Sequence, residues 1–196
     1  MDLLPIVDAP APERSDAARN RERLLQAAEE LIDHCGIDGV TMDAVAARAG
    51  VGKGTVFRRF ESREGLMAAL VNRSETEWQA HVISGPPPLG PGAPPMERLL
   101  AFGHSRIELN LSHARLIEAA GRAGMRNYAV ESFAAMHVRY LLEQLGVHGD
   151  IPLLAIALLA PLEVPILVQQ AEREHIPLDR VRAGWEDLVR RVIRPD

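Results

Sequence analysis

The chain has 196 residues, 47% hydrophobic and 25% charged, and its 27 Asp and Glu outnumber its 22 Lys and Arg for a net charge of −5. That length allows one large domain, or a small and a medium one, with ordinary globular composition. A single cysteine, Cys35, excludes an intramolecular disulfide framework and fits a reducing, cytoplasmic setting.

Aromatic residues make up 4% of the chain. Ala, Leu, Arg and Glu dominate and β-branched alternation is scarce, so the expectation is an all-α chain of about nine helices. The opening "MDLLPIVDAPAPERS" has no basic n-region and too short an apolar stretch for a signal peptide. Residues 1–15 are expected to be a disordered tail. A first helix runs from about Asp16 to Cys35, carrying Leu24, Ala28, Leu31 and Ile32 at helical spacing, and Gly36 ends it. Thr41 caps a short second helix, with Asp43 against its dipole and Val45, Ala46 and Ala49 facing inward. "AGVG" makes a tight turn, a third helix spans Lys53 to Phe60, and Ser62 caps a fourth that reaches about His81.

The stretch "SGPPPLGPGAPP", residues 84–95, reads as a surface loop. Five further helices are expected near 96–112, 114–121, 125–145, 151–174 and 178–193, two of them opened by Asp150-Ile-Pro and Pro177-Leu-Asp. The run "IPLLAIALLAPLEVPILV" approaches the length of a membrane span, but it holds Glu163 and three prolines and lacks flanking anchors. It is expected to be a kinked helix buried in a core or a subunit interface rather than in a membrane.

Charge is concentrated in one place. Residues 48–63 hold Arg48, Lys53, Arg58, Arg59 and Arg63 against Glu61, on a chain that is otherwise acidic. Helix, glycine turn, short helix is the layout of a helix-turn-helix. Stepping 100° per residue, Val56 and Phe60 point inward, while Gly54, Thr55 and Arg58 fall on the opposite side. Such a face suits a major groove: Gly54 admits the backbone, the Thr55 methyl can meet a thymine methyl, and Arg58 can grip guanine. Arg59 and Arg63 are expected beside phosphates, with Ser62 and the start of the fourth helix as a further anion site. Arg14, Arg19, Arg21 and Arg23 form either an arm for phosphates or the minor groove, or an ordinary helix surface balanced by Asp16 and Glu22.

Residues 40–71, "VTMDAVAARAGVGKGTVFRRFESREGLMAALV", resemble the DNA-binding region of the TetR family of bacterial transcriptional regulators, and "RNRERLLQAAEELIDHCGIDG" resembles that family's first helix. The resemblance implies a helix-turn-helix domain at 16–62 and a helical effector-binding and dimerisation domain at 63–196. It implies a homodimer reading a palindromic operator in double-stranded DNA, with a small-molecule effector that alters the distance between the recognition helices. Thr41, Lys53, Gly54, Thr55, Phe57, Arg59 and Arg63 fall on family DNA-contact positions. Three residues depart from the pattern: Gly52 stands where Ser or Thr is usual, Phe57 where Tyr is common, and Arg59 where His is frequent.

In the second domain, Trp78, Phe102, Arg106, Met125, Tyr128, Phe133, Met136, His137 and Tyr140 are candidates to line an effector pocket between helices, each with plain core packing as the alternative. Leu178, Val181, Trp185, Leu188 and Val192 form a stripe expected to join a four-helix dimer interface, the alternative being packing within the same chain. The seven histidines are scattered, and HExxH, CxxC, GxxxxGK[ST] and GxSxG are absent. The reading is therefore of a regulator, not an enzyme, without metal or cofactor. A constitutive DNA-binding factor with no ligand is the alternative.

Overall fold

The computed structural model describes residues 12–121 and 128–193, the side chains of 12–15 and 128–132 excepted. Ten α-helices and no strand occur among them. Helix α1 (Pro12–Cys35) starts four residues before the expected Asp16 and ends at Gly36, whose φ of 73° glycine takes without strain. After a 3-10 turn come α2 (Met42–Ala49), α3 (Lys53–Phe60) and α4 (Arg63–Ser84). The second half holds α5 (Pro95–Ser112), α6 (Ala114–Ala120), α7 (Tyr128–Gln144), α8 (Ile151–Leu159), α9 (Val164–Val168) and α10 (Leu178–Ile193).

The expected helix over 151–174 is two helices. After α8 the chain makes a 3-10 turn at Ala160–Leu162, extends at Glu163, forms α9, and closes with a wide π turn at Gln169–Arg173. Pro161 and Pro165 have no N–H for an i−4 bond, so the ladder cannot run through them. The two halves bend by 41°, and among the described residues no single helix is long and apolar enough to cross a membrane. Within its own chain the segment is only partly buried: Leu153 is 61% exposed, Ile156 56% and Ile166 40%.

The apolar residues divide into two cores. The first joins Leu24, Leu25 and Ala28 of α1, Val45 of α2, Val56 and Phe60 of α3, Leu66–Val71 of α4, and Leu116 and Ala120 of α6. The second joins Trp78 and Val82 at the far end of α4 to Phe102, Val138, Leu158, Trp185 and their neighbours. Helix α4 thus belongs to both, and α6 reaches back into the first. The proline-rich loop is folded onto itself: Gly90 donates to Pro86 at 3.0 Å, and Leu89 packs on the second core.

Candidate nucleic-acid interface

The turn between α2 and α3 is built from its caps. Thr41 Oγ1 accepts from the Ala44 amide at 3.1 Å and fixes the start of α2. At the other end Gly50 adopts φ 66°, and its N–H returns to the carbonyls of Ala46 and Ala47. Helix α3 then begins at Lys53 without a side-chain cap, because Gly52 offers none.

Val56 and Phe60 fix α3 from behind. Its other side is open: Lys53, Gly54, Phe57, Arg58 and Arg59 are exposed and Thr55 is half-buried. A side chain at Gly54 would meet no atom within 4 Å, so nothing in the fold itself requires glycine there. Lys53 pairs with Asp43 at 2.7 Å and lies 5.8 Å from the centre of the Phe57 ring. Arg58 has no hydrogen-bond or ion-pair partner among the described residues and stands as a free cation on the exposed face.

The flanking arginines differ. Arg59 donates to the Ala17 carbonyl at 2.7 Å, tying α3 to α1. Arg63, expected beside a phosphate, is half-buried and donates to Val40 O at 2.8 Å and Ile37 O at 2.6 Å. Its guanidinium joins α4 to the strand-like approach to α2. Ser62 Oγ accepts from the Gly65 amide at 3.1 Å. Glu64 holds its carboxyl below the usual range through its own backbone N–H and the Ser62 hydroxyl. The anion-favouring start of α4 is therefore filled from within. Arg19 pairs with Asp16, and Arg23 donates to Ala49 O at 3.0 Å, so both are engaged on the surface of α1; the Arg14 side chain lies outside the described residues.

The expected effector residues split. Trp78, Phe102, Phe133, His137 and Tyr140 form a chain of ring contacts 5.1–6.5 Å between centres. Met136 is exposed, Met125 lies outside the described residues, and so does the Tyr128 side chain. Arg106 is buried, pairs with Glu75 at 2.7 Å and lies 4.8 Å from the Trp78 ring centre. Glu75 and Asn110, which donates to Leu162 O at 2.5 Å, escaped the sequence reading. Neither sits in a motif, and only the fold shows them buried.

A cavity of about 340 Å³ lies elsewhere, lined by Ile107, Leu162, Val181, Trp185 and Leu188 among others. Three of these belong to the stripe expected at a dimer interface. Trp185 itself is 3% exposed, and its indole N–H donates to Leu158 O at 2.9 Å. It is spent in the core of its own chain. Leu178, Val181, Leu188 and Val192 are half-buried against the same core. Periodicity revealed the stripe, but not which chain it would face.

The profile of the family described as bacterial regulatory proteins, tetR family, matches residues 24–70. An HTH-type transcriptional regulator of Staphylococcus aureus (strain USA300) is 33% identical over 60 residues, 31% of this chain and 32% of the relative; the match spans about a third of that protein. Over nearly the whole chain the fold is similar to a TetR-family transcriptional regulator from Pectobacterium atrosepticum (TM-score 0.72, 20% identity, 93% of this chain and 99% of that one). It is similar also to the multidrug binding protein EbrR, solved with imidazole (TM-score 0.61, 26% identity, 98% and 99% covered). The capped turn, the first core and the profile match agree that residues 24–70 form a DNA-binding domain of the tetR-family kind, and the chain as a whole shares the fold of a TetR-family transcriptional regulator.

Proposed function

We propose that the protein is a cytoplasmic homodimer that occupies a palindromic operator as a repressor and leaves it when a small-molecule effector binds. The observation that carries this reading is the open face of α3, with Arg58, unpartnered among the described residues, on a helix fixed from behind by Val56 and Phe60. In this reading Gly54, Thr55 and Arg58 meet base edges in the major groove. Lys53, Phe57 and Arg59 lie along the backbone and set orientation. Thr41 caps α2 through its oxygen and keeps its O–H to donate to a phosphate. The Lys53–Asp43 pair is about 60% exposed on each side, so exchanging it for a phosphate costs at most about 1 kcal/mol. Arg63 acts as a positioning residue, through the carbonyls it holds.

Residues 16–62 carry the DNA contacts in this reading, and 63–196 the effector and partner contacts. Leu153, Ile156 and Ile166 supply the exposed apolar face for a second copy, with the half-buried edges of Leu178, Val181, Leu188 and Val192. Shared membership of α4 in both cores couples the two ends. EbrR, a multidrug binding protein, supports an effector role for the helical half.

One observation favours a constitutive factor instead: Trp78, Phe102 and Arg106 are already buried and partnered. Selection of bound fragments from a genomic library, followed by a ligand screen on the best site, decides between them. A short palindrome released by a small molecule supports the sensor, and tight binding that no ligand disturbs supports the constitutive factor. Failure to select any site overturns the assignment of α3.

A further inference from the structure

Among the described residues, two buried nitrogens beside the second core have no hydrogen-bond partner, Nε of Arg98 and Nε2 of His137. Folded proteins leave few such groups, because each forfeits its hydration without return. The two belong together. Arg98 lies one turn before Phe102 on α5, and the His137 ring on α7 stacks on Phe102 with centres 5.3 Å apart and planes at 27°. His137 stacks also on Phe133, at 6.1 Å and 15°. Trp78 closes the group, 5.1 Å from Phe102 and 6.1 Å from Phe133. Tyr140, 48% exposed, stands 6.5 Å from His137 and leads to the surface.

The charges around this wall are unequal. Arg106 and Glu75 neutralise each other at 2.7 Å. Arg98 has no carboxylate within ion-pair distance among the described residues, and its one described hydrogen bond, to Val82 O, is 3.4 Å long. Its positive charge reaches His137, whose pKa is lowered to about 4 by burial first and by Arg98 second. The imidazole is neutral at ordinary pH, and in one tautomer Nε2 carries a proton. The arginine Nε–H can only donate. Two N–H groups, one on an uncompensated cation, border an aromatic wall.

We infer that this is the seat of an aromatic carboxylate. One carboxylate oxygen or both accept from Arg98 Nε–H and His137 Nε2–H, and the ring lies along Phe133 and Tyr140, which, unlike Trp78 and Phe102, are not fully buried. An organic cation would meet the unpaired charge of Arg98, and a hydrocarbon would leave both nitrogens unsatisfied. This inference rests on the effector reading above and names the chemical class of the effector.

The test uses the full chain and two probes of one shape, 2-naphthoate and the uncharged 2-naphthamide, titrated calorimetrically. The acid is expected to bind about tenfold tighter or more. Arg98→Met and His137→Phe should each reduce that preference while leaving the thermal unfolding transition cooperative. Equal or tighter binding of the amide overturns the seat, as does a preference that survives both substitutions or a failure of both probes to bind. The effector reading is judged separately, by release of the selected operator: release by a neutral or cationic compound alone would keep that reading and discard this seat.

Discussion

Gly103 yields its side-chain position to Trp185. A Cβ built there would stand 2.1 Å from Cζ3 of the indole. In the middle of α5, replacing glycine with alanine would ordinarily add about 1 kcal/mol of helix stability. Here the indole is buried and tethered to Leu158 O, so it cannot swing aside cheaply. Gly103→Ala is expected to lower stability by about 1–3 kcal/mol in urea unfolding, the overpacking term exceeding the propensity gain. A stabilised variant would show that α10 gives way.

The buried Glu75–Arg106 pair joins α4 to α5. Removing either partner alone leaves an uncompensated charge in the core, and Glu75→Leu or Arg106→Met should each cost about 3–5 kcal/mol. The double variant should recover most of that loss. Chemical denaturation of the four proteins measures the coupling, and additive losses would refute it.

Arg58 and Arg63 should separate cleanly. Arg58→Ala is expected to leave the melting temperature unchanged, weaken binding to the selected operator and relax discrimination at one base pair of each half-site. Arg63→Ala removes two charge-assisted bonds to backbone carbonyls and should cost about 1.5–3 kcal/mol of stability, with affinity falling as a consequence. Thermal melts beside binding isotherms distinguish the two, and identical behaviour would dissolve the distinction.

His137 predicts a pH dependence. Its folded pKa of about 4 lies below the ordinary imidazole value of 6.5, so between those pH values the unfolded chain binds the extra proton. Its stabilising contribution is complete above about pH 6.5 and is lost as pH falls toward 4. For a half-buried ring, discounted for solvent screening, the loss is about 1–2 kcal/mol. Denaturation at fixed protein concentration across this range should show a flatter profile in His137→Gln.

Local signals carried the helix boundaries well. Thr41, Ser62 and Asp150 each cap the helix expected of them, the last by accepting from the Leu153 amide at 3.1 Å. Gly52 does leave α3 without a side-chain cap. What escaped was long-range. Arg63 looks like any basic residue until the fold brings it to a carbonyl 23 positions earlier. The α10 stripe was visible as a stripe, yet only the packed structure shows Trp185 facing inward. Pro161 and Pro165 announced a kink, but nothing local showed that Asn110, 52 positions earlier, would donate to the Leu162 carbonyl at the break.

Helix α4 also sets a mechanical scale. From Trp78 to Arg63 the helix spans about 22 Å, so a tilt of about 10° at the Trp78 end swings the other by roughly 4 Å. In a two-fold pair, opposite swings change the separation of the two α3 helices by roughly 8 Å, about a quarter of the ~34 Å between successive major grooves on one face of DNA. In such a pair a tilt of that size at the packing of Trp78, Phe102 and Phe133 would displace the two α3 helices by about two base pairs relative to each other.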